Sequence, residues 1–298
     1  MRDLIIIGAG PAGITASVYA ARKKMDFAVI TDDIGGQAAW SGDVENYTGY
    51  QFVTGPELAS KFEEHMKKYK VLVKEGEKTV KIEKGDTIRV KTDKANYETK
   101  AVIVASGKRS RELGVPGEKK FKNRGLTYCA TCDGPLFAGK NVAVIGGGNA
   151  GLDAVTQLVR IAKHVYLVES TPRLTGDEII QEKLKSEKNV TVLTNASVKA
   201  ITGDKMVSNV NVQIAGGEKT LPVEGIFVEI GLTPNSAFVE LLEKNKRGEI
   251  KVNSYNETSV PGIFAAGDVT DVPEKQIIIA AGEGAKAALS ASKYLNKL

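Results

Sequence analysis

The chain has 298 residues, 42% of them hydrophobic, a net charge of +5 and a mean hydropathy of −0.15. That length suits about two domains of roughly 150 residues, and no run of 18 apolar residues suggests a membrane span. Lysines come in scattered pairs such as Lys23-Lys24, Lys67-Lys68 and Lys119-Lys120, with no basic tract interleaved with aromatics, so a nucleic-acid groove is set aside. A mildly basic surface suits an acidic protein partner.

Taken in order, Leu4–Ile7 is a short apolar run closed by glycine and reads as a buried parallel strand rather than a leader peptide. On that ground the protein is expected in the cytoplasm. A helix over Ala12–Lys23 and a strand over Phe27–Ile30 follow. Gly55–Tyr69 has helical periodicity, with Leu58, Phe62 and Met66 spaced four apart. Val71–Val73, Thr79–Ile82, Thr87–Val90 and Ala101–Ala105 are rich in β-branched residues and read as strands. The pattern then restarts: strand Asn141–Ile145, helix Asn149–Ala162, strand Val165–Val168, helix Asp177–Glu187. Strands at Val190–Leu193, Val207–Ile214 and Gly225–Ile230 come next, and a last helix spans Ile277–Tyr294.

The two glycine fingerprints, Gly8-Ala-Gly-Pro-Ala-Gly13 and Gly146-Gly-Gly-Asn-Ala-Gly151, start 138 residues apart (146 − 8). Each follows a strand and opens a helix. In such a turn the first glycine allows the tight bend, the second lets backbone approach a pyrophosphate and the third lets helix pack on strand. Exposed amides at the helix N-terminus then hold the anion. In the second copy Glu169 ends the next strand, where an acid would hold a ribose 2′-hydroxyl; a plain surface glutamate is the competing reading. The fold class read from this repeat is α/β, with two Rossmann-like domains.

Between the fingerprints stand the only cysteines, Cys129-Ala-Thr-Cys132, followed by Asp133. A structural zinc site needs four ligands, and apart from this pair the chain offers only His65 and His164, so no metal is expected. Inert buried thiols are the remaining plain reading. Redox spacing favours a dithiol, since Cys-x-x-Cys lowers one thiol pKa and the thiolate is the attacking species. Asp133 is either a proton donor and acceptor for thiol exchange or a turn former before Gly134-Pro135.

These features, with Gly35-Gly36-Gln37, Glu45-Asn46 and Gly262–Val269 in the same order, resemble the low-molecular-weight thioredoxin reductase family across essentially the whole chain. The stretch Ala265–Val269, Lys275–Ile279 and Gly282–Ala285 is most similar to the flavoprotein subunit of alkyl hydroperoxide reductase. That relative carries an extra N-terminal thioredoxin-like domain, which the chain is expected to lack. The resemblance implies an FAD domain over 1–112 and 245–298, with three-layer ββα architecture. A nucleotide domain over 113–244 is inserted in it and carries the cysteines. It assigns Gly8, Gly10, Pro11, Ala12 and Gly13 to the FAD pyrophosphate. Thr31, Gly35, Gly36, Gln37 and Asn46 go to its ribose and flavin side, and Val80 and Gly107 to the same cofactor. Gly267 and Asp268 are assigned to the ribityl-pyrophosphate region, and Lys275, Gln276 and Ile277 to the isoalloxazine ring. Gly146, Gly148, Asn149, Ala150, Gly151 and Glu169 would bind the pyridine nucleotide. Cys132 would face the flavin and Cys129 would attack the partner disulfide.

The family's arginine-rich 2′-phosphate clamp is replaced here by Glu169-Ser-Thr-Pro-Arg173, which favours NADH over NADPH. The implied activity is disulfide reduction in a thioredoxin- or glutaredoxin-like protein, by a homodimer whose nucleotide domain rotates on linkers near 110–118 and 240–247. Two alternatives stand beside it: supply by ferredoxin instead of a nicotinamide, and a flavin-binding redox sensor without catalysis.

Overall fold

A computed structural model describes the chain except Gly42 and Glu45, and of Trp40, Asp43 and Cys132 it describes the backbone alone. The chain divides into two compact units, Met1–Arg109 with Thr233–Leu298, and Ser110–Leu232. The strands that carry it between them, Lys108–Ser110 and Leu232–Pro234, pair as a two-stranded ribbon.

The first unit is built on a seven-stranded sheet. Strands Leu72–Glu75, Phe27–Ile34, Arg2–Ala9, Asn96–Val104 and Ile263–Ala265 run parallel, and Ile88–Thr92 and Thr79–Lys84 continue it antiparallel. Alternation along Leu4-Ile-Ile-Ile7 sends side chains to both faces, and all four are buried. Leu4 and Ile6 join Val29 and Ile103 under an alanine-rich layer from helices Pro11–Arg22 and Ile277–Leu295. Ile5 and Ile7 join Val102 and Val104 under Ile82, Val90, Val239 and Leu242 on the other face. Each fully buried side chain of this size contributes about 1.5–3 kcal/mol, which is why this run has no polar residue.

The second unit repeats the scheme. A five-stranded parallel sheet runs in the order Leu126–Thr127, Gly225–Val228, Asn141–Ile145, His164–Val168, Val190–Leu193. Val142, Val144, Val165 and Leu167 pack under Leu152, Val155 and Leu158 of helix Asn149–Leu158. Ala143, Ile145, Ile226 and Val228 pack against Val207, Val210, Val212 and Leu221 of an antiparallel sheet, Ser197–Gly203, Val207–Ile214 and Gly217–Pro222. Both units are therefore three-layer ββα arrangements.

Several elements depart from their expected bounds. Phe27–Ile30 extends to Ile34, because Gly76 N–H on Asp32 O (3.2 Å) and the pairing of Ile34 with Ala9 keep the backbone extended past the exposed Asp32. The helix opened by Asn149 stops at Leu158 rather than Ala162. Asp177 caps its helix, Glu178–Lys185, instead of starting it, accepting from Ile179 N and Ile180 N. Ser197–Gly203 and Gly217–Pro222 were not expected: their apolar positions are too sparse to show a period of two.

Five helices have eight residues or more among the described residues, and they start in two ways. Gly55–Lys68 has a Thr54/Glu57 capping box and Glu178–Lys185 the Asp177 carboxylate. Helices Pro11–Arg22, Asn149–Leu158 and Ile277–Leu295 start at Gly10, Gly148 and Gln276 with no side-chain cap. Those three N-termini keep amides open, which an anion satisfies.

Candidate redox and dinucleotide sites

In the first unit, Gly8 sits at φ +101°, and a Cβ there would lie 2.4 Å from Ala105 O. A Cβ on Gly13 would lie 1.8 Å from Gly8 O, so helix and turn touch through bare backbone. Around Gly10 there is room: Gly35 O and Gly36 Cα stand 4.0 Å from where its Cβ would be. The turn after the first strand and the Gly35-Gly36 turn after the second thus converge on one cradle, tied by Gly35 N–H to Ala9 O at 2.8 Å. Pro11 begins the helix, Ala12 packs 2.9 Å from a Cβ position on Gly267, and Gln37 lies on the short helix Gly36–Trp40. Thr31 is buried, with its hydroxyl accepting from Ala9 N and donating to Asp33 O.

The far side of this cradle is also assembled. Asn46 donates to Gln276 Oε1 at 3.0 Å, across 230 residues of sequence. Asp268 follows strand Ile263–Ala265, and burial pushes its carboxyl up while Lys275 and Lys108 pull it down. Lys275 Nζ donates to Thr270 O at 2.5 Å, and Ile277 begins the last helix. Gly107 has φ +62° and its carbonyl accepts from Asn235 N at 2.9 Å. Val80 sits at a register break of its strand, 43% exposed, three residues beyond Glu77, whose N–H donates to Thr31 O.

One residue of this neighbourhood escaped the sequence reading. Glu249 takes Lys108 Nζ at 2.7 Å and Asn245 Nδ2 at 2.6 Å, and Lys275 stands 3.6 Å away. Burial pushes its carboxyl up, but these partners outweigh burial and hold it down at about 2.

The second unit repeats the cradle. A Cβ on Gly146 would meet Glu229 O at 2.3 Å and one on Gly151 would meet Gly146 O at 1.8 Å, while Gly148 is open. Asn149 accepts from Asp177 N at 2.8 Å, and Ala150 lies in the first turn of the helix. Glu169 is buried at the end of its strand and accepts from Gly147 N at 2.6 Å and Thr171 N at 2.7 Å. Burial works against its charge, yet these donors and the Ser170 hydroxyl prevail and keep it below the ordinary carboxylate range. A carboxylate thus stands charged beside the turn, with Arg173 exposed four residues on.

Cys129 lies in the same unit, just past strand Leu126–Thr127 and next to the short helix Ala130–Asp133. It is half-buried and disulfide-bonded. Cys132 occupies that helix; its side chain, with the expected flavin-facing role, lies outside the described residues, as does Glu45. The Thr127 hydroxyl donates to the Asp133 carboxylate and accepts from Cys129 N at 3.2 Å, so one side chain joins the candidate acid to the cysteine backbone. Thr131 Oγ1 donates to Gln157 Oε1 at 3.0 Å, which ties the cysteine helix to the one opened by the glycine turn. A second overlooked residue stands here. Glu229 follows strand Gly225–Val228, and burial pushes its carboxyl up to about 7. The only trace in sequence was an acid inside an otherwise apolar strand end, Ile-Phe-Val-Glu-Ile.

Both cradles suit dinucleotides: close backbone where helix meets strand, open backbone at the middle glycine, uncapped amides at the helix start. The pyridine nucleotide-disulphide oxidoreductase family matches residues 2–284. The chain belongs to this family. Its fold matches the thioredoxin reductase of Lactococcus lactis, with TM-score 0.89, 34% identity and all of both chains covered. It is 45% identical over 297 residues to an NADH dehydrogenase of Ferdinandcohnia aciditolerans, covering 98% of this chain and 57% of that one. It is 43% identical over 298 residues to an alkyl hydroperoxide reductase component of Staphylococcus epidermidis, covering 98% and 59%. The chain thus spans somewhat over half the length of these curated relatives. As a pyridine nucleotide-disulphide oxidoreductase it uses FAD and NAD(P)H. No helix among the described residues is long and apolar enough to cross a membrane.

Proposed function

We propose that this oxidoreductase takes electrons from NADH and delivers them, through Cys129 and Cys132, to the disulfide of a thioredoxin- or glutaredoxin-like protein. Bound FAD and NADH supply two-electron transfer. Gly8–Gly13, Gly35-Gly36, Asn46, Asp268 and Lys275–Ile277 would hold the flavin, and Gly146–Gly151 with Glu169 the nicotinamide nucleotide. The observation that carries the reading is the disulfide at Cys129, held in the same unit as the second glycine turn and half-exposed. A thiolate at Cys129 would attack a partner disulfide, and Asp133, hydrogen-bonded by Thr127, would exchange the proton of the leaving thiol. The full-length likeness to thioredoxin reductases supports a small redox protein as acceptor. The similarity to an alkyl hydroperoxide reductase component supports a pathway whose final oxidant is a peroxide. The charged Glu169 and the relatives called NADH dehydrogenase support NADH as donor.

Anaerobic addition of NADH to the flavin-loaded protein tests this. Flavin bleaching followed by reduction of a thioredoxin-type disulfide is expected. Bleaching by reduced ferredoxin but not by NADH would replace the donor, and no bleaching by either would leave a flavin-binding sensor.

A further inference from the structure

We propose that Glu118 is a positioning residue for the dithiol: through Tyr128 it fastens Cys129 to the segment by which the chain enters the second unit, and so keeps that cysteine in the place that suits the disulfide even when the pair is reduced. This rests on the cysteines being the redox pair. Glu118 is only 2% exposed, and a carboxylate buried so deeply is tolerated only with hydrogen-bond partners. It has three. Leu113 N donates to Oε1 and Gly114 N to Oε2, each at 2.7 Å, and the Tyr128 hydroxyl donates to Oε1 at 2.8 Å. The two amides lie just past Ser110, where the unit begins, and the hydroxyl belongs to the residue before Cys129.

Both ends of this tether are themselves fixed. Gly117, directly before Glu118, has φ +91°, and a Cβ there would lie 2.0 Å from Ile201 O, so its backbone is pressed against strand Ser197–Gly203. Ile201 N also donates to Pro116 O at 2.9 Å. At the other end Lys122 Nζ stands over the Tyr128 ring, 5.3 Å from its centre. Burial, and then the Glu118 carboxylate, push the Tyr128 phenol up, so it stays protonated and donates. Strand Leu126–Thr127, which leads to Cys129, is only two residues long and lies at the edge of its sheet. The Thr127 hydroxyl that accepts from Cys129 N at 3.2 Å belongs to that same short segment. The bond from Tyr128 to Glu118 is the one that joins it to the entering chain.

The tether acts unequally on the two redox forms. A disulfide already restrains Cys129, so the restraint from Tyr128 counts most in the dithiol, which otherwise gains freedom when the S–S bond breaks. Holding Cys129 in place raises the effective concentration of one sulfur at the other. The disulfide is thereby favoured over the dithiol, and the reduced pair gives its two electrons more readily to a partner disulfide.

The test uses the full chain with FAD bound, equilibrated anaerobically in glutathione buffers of varied ratio. Thiols are trapped by alkylation and counted by mass spectrometry. Two glutathione thiols supply the two electrons and two protons that turn the disulfide into two thiols, and leave as one glutathione disulfide. Tyr128→Phe keeps the ring under Lys122 and removes only the hydroxyl. Its equilibrium should move at least about threefold toward the dithiol. Tyr97→Phe is the matched comparison, since Tyr97 donates to the Glu77 carboxylate at 2.8 Å in the first unit. It should lose thermal stability and keep the wild-type equilibrium. An unchanged or opposite equilibrium in Tyr128→Phe, or an equal shift in Tyr97→Phe, would overturn the proposal. Should Tyr128→Phe not fold, hydrogen exchange at the Leu113 and Gly114 amides of the wild type decides: equal protection in the oxidised and reduced protein supports a tether that outlasts the disulfide, and faster exchange on reduction rejects it. Neither readout uses a nucleotide or a protein partner, so a failure of NADH-driven turnover is told apart from a failure here.

Discussion

At the scale of single residues, the cysteines, Glu169 and Glu249 carry separable roles. Cys129→Ser and Cys132→Ser should each abolish partner disulfide reduction while NADH still bleaches the flavin, since in the proposed route the dithiol acts last; stopped-flow absorbance and a coupled thioredoxin assay read the two halves. In the proposed site Glu169 would stand charged where a 2′-phosphate would sit, so NADH should be preferred by at least about tenfold, which needs about 1.4 kcal/mol. Glu169→Arg should move the kcat/KM ratio toward NADPH. Glu249 tests the electrostatics of the first unit. Its folded pKa, about 2, lies below the ordinary 4.5, so its contribution is complete above pH 4.5 and is lost as pH falls toward 2. Glu249→Gln leaves Lys108 and Lys275 facing each other and should cost about 3 kcal/mol near neutrality, with the gap to wild type closing in urea melts at acid pH. None of this was legible from sequence for Glu249. Lys108 lies 141 residues from Glu249, and only the fold joins them. The glycines and cysteines were legible because their chemistry depends on spacing within one turn.

At the scale of elements, the two strand–turn–helix units are independent copies of one device, and each can be broken alone. A Cβ on Gly13 or Gly151 would sit 1.8 Å from a carbonyl oxygen, which forces helix from strand. Gly13→Ala should give a colourless protein that takes up no FAD. Gly151→Ala should stay yellow yet resist bleaching by NADH, and absorbance at equal protein concentration distinguishes the two. Thr54→Ala serves as the contrast: it removes a capping box from a helix with no assigned cofactor role, so it should cost about 1 kcal/mol in thermal melts and leave turnover unchanged. Helix cores and parallel strands were readable because continuous burial forces apolar runs such as Leu4–Ile7. The edge strands Ser197–Gly203 and Gly217–Pro222 were not, because their apolar positions alternate weakly, whereas the central strand Val207–Ile214 between them was.

At the scale of the whole molecule, sequence repetition revealed two α/β halves, but only the resemblance placed Gly262–Asp268 with the first of them. The structure gives that return a physical basis: Ile263–Ala265 pairs with Asn96–Val104 in the same sheet. Each unit has its own buried clusters on both faces of its sheet. The chain leaves and re-enters the first unit through two strands paired with each other, so closing that gap needs only a short bridge. Replacing residues 111–231 with a short glycine-serine linker should yield a folded, yellow protein that no longer responds to NADH, as gel filtration and flavin absorbance would show; an aggregated or colourless product would count against the autonomy of that unit.

The uncapped helices carry a thermodynamic consequence. Among the described residues, three of the five long helices start without a side-chain cap, so a ligand bound at their first amides would lend native stability. At a ligand concentration one hundred times its dissociation constant that loan is about 2.7 kcal/mol, a large part of what holds most domains together. Cofactor supply then governs how long the polypeptide survives in the cell as well as how fast it turns over. A shortage of flavin would thin the population of folded molecules before it slowed any one of them.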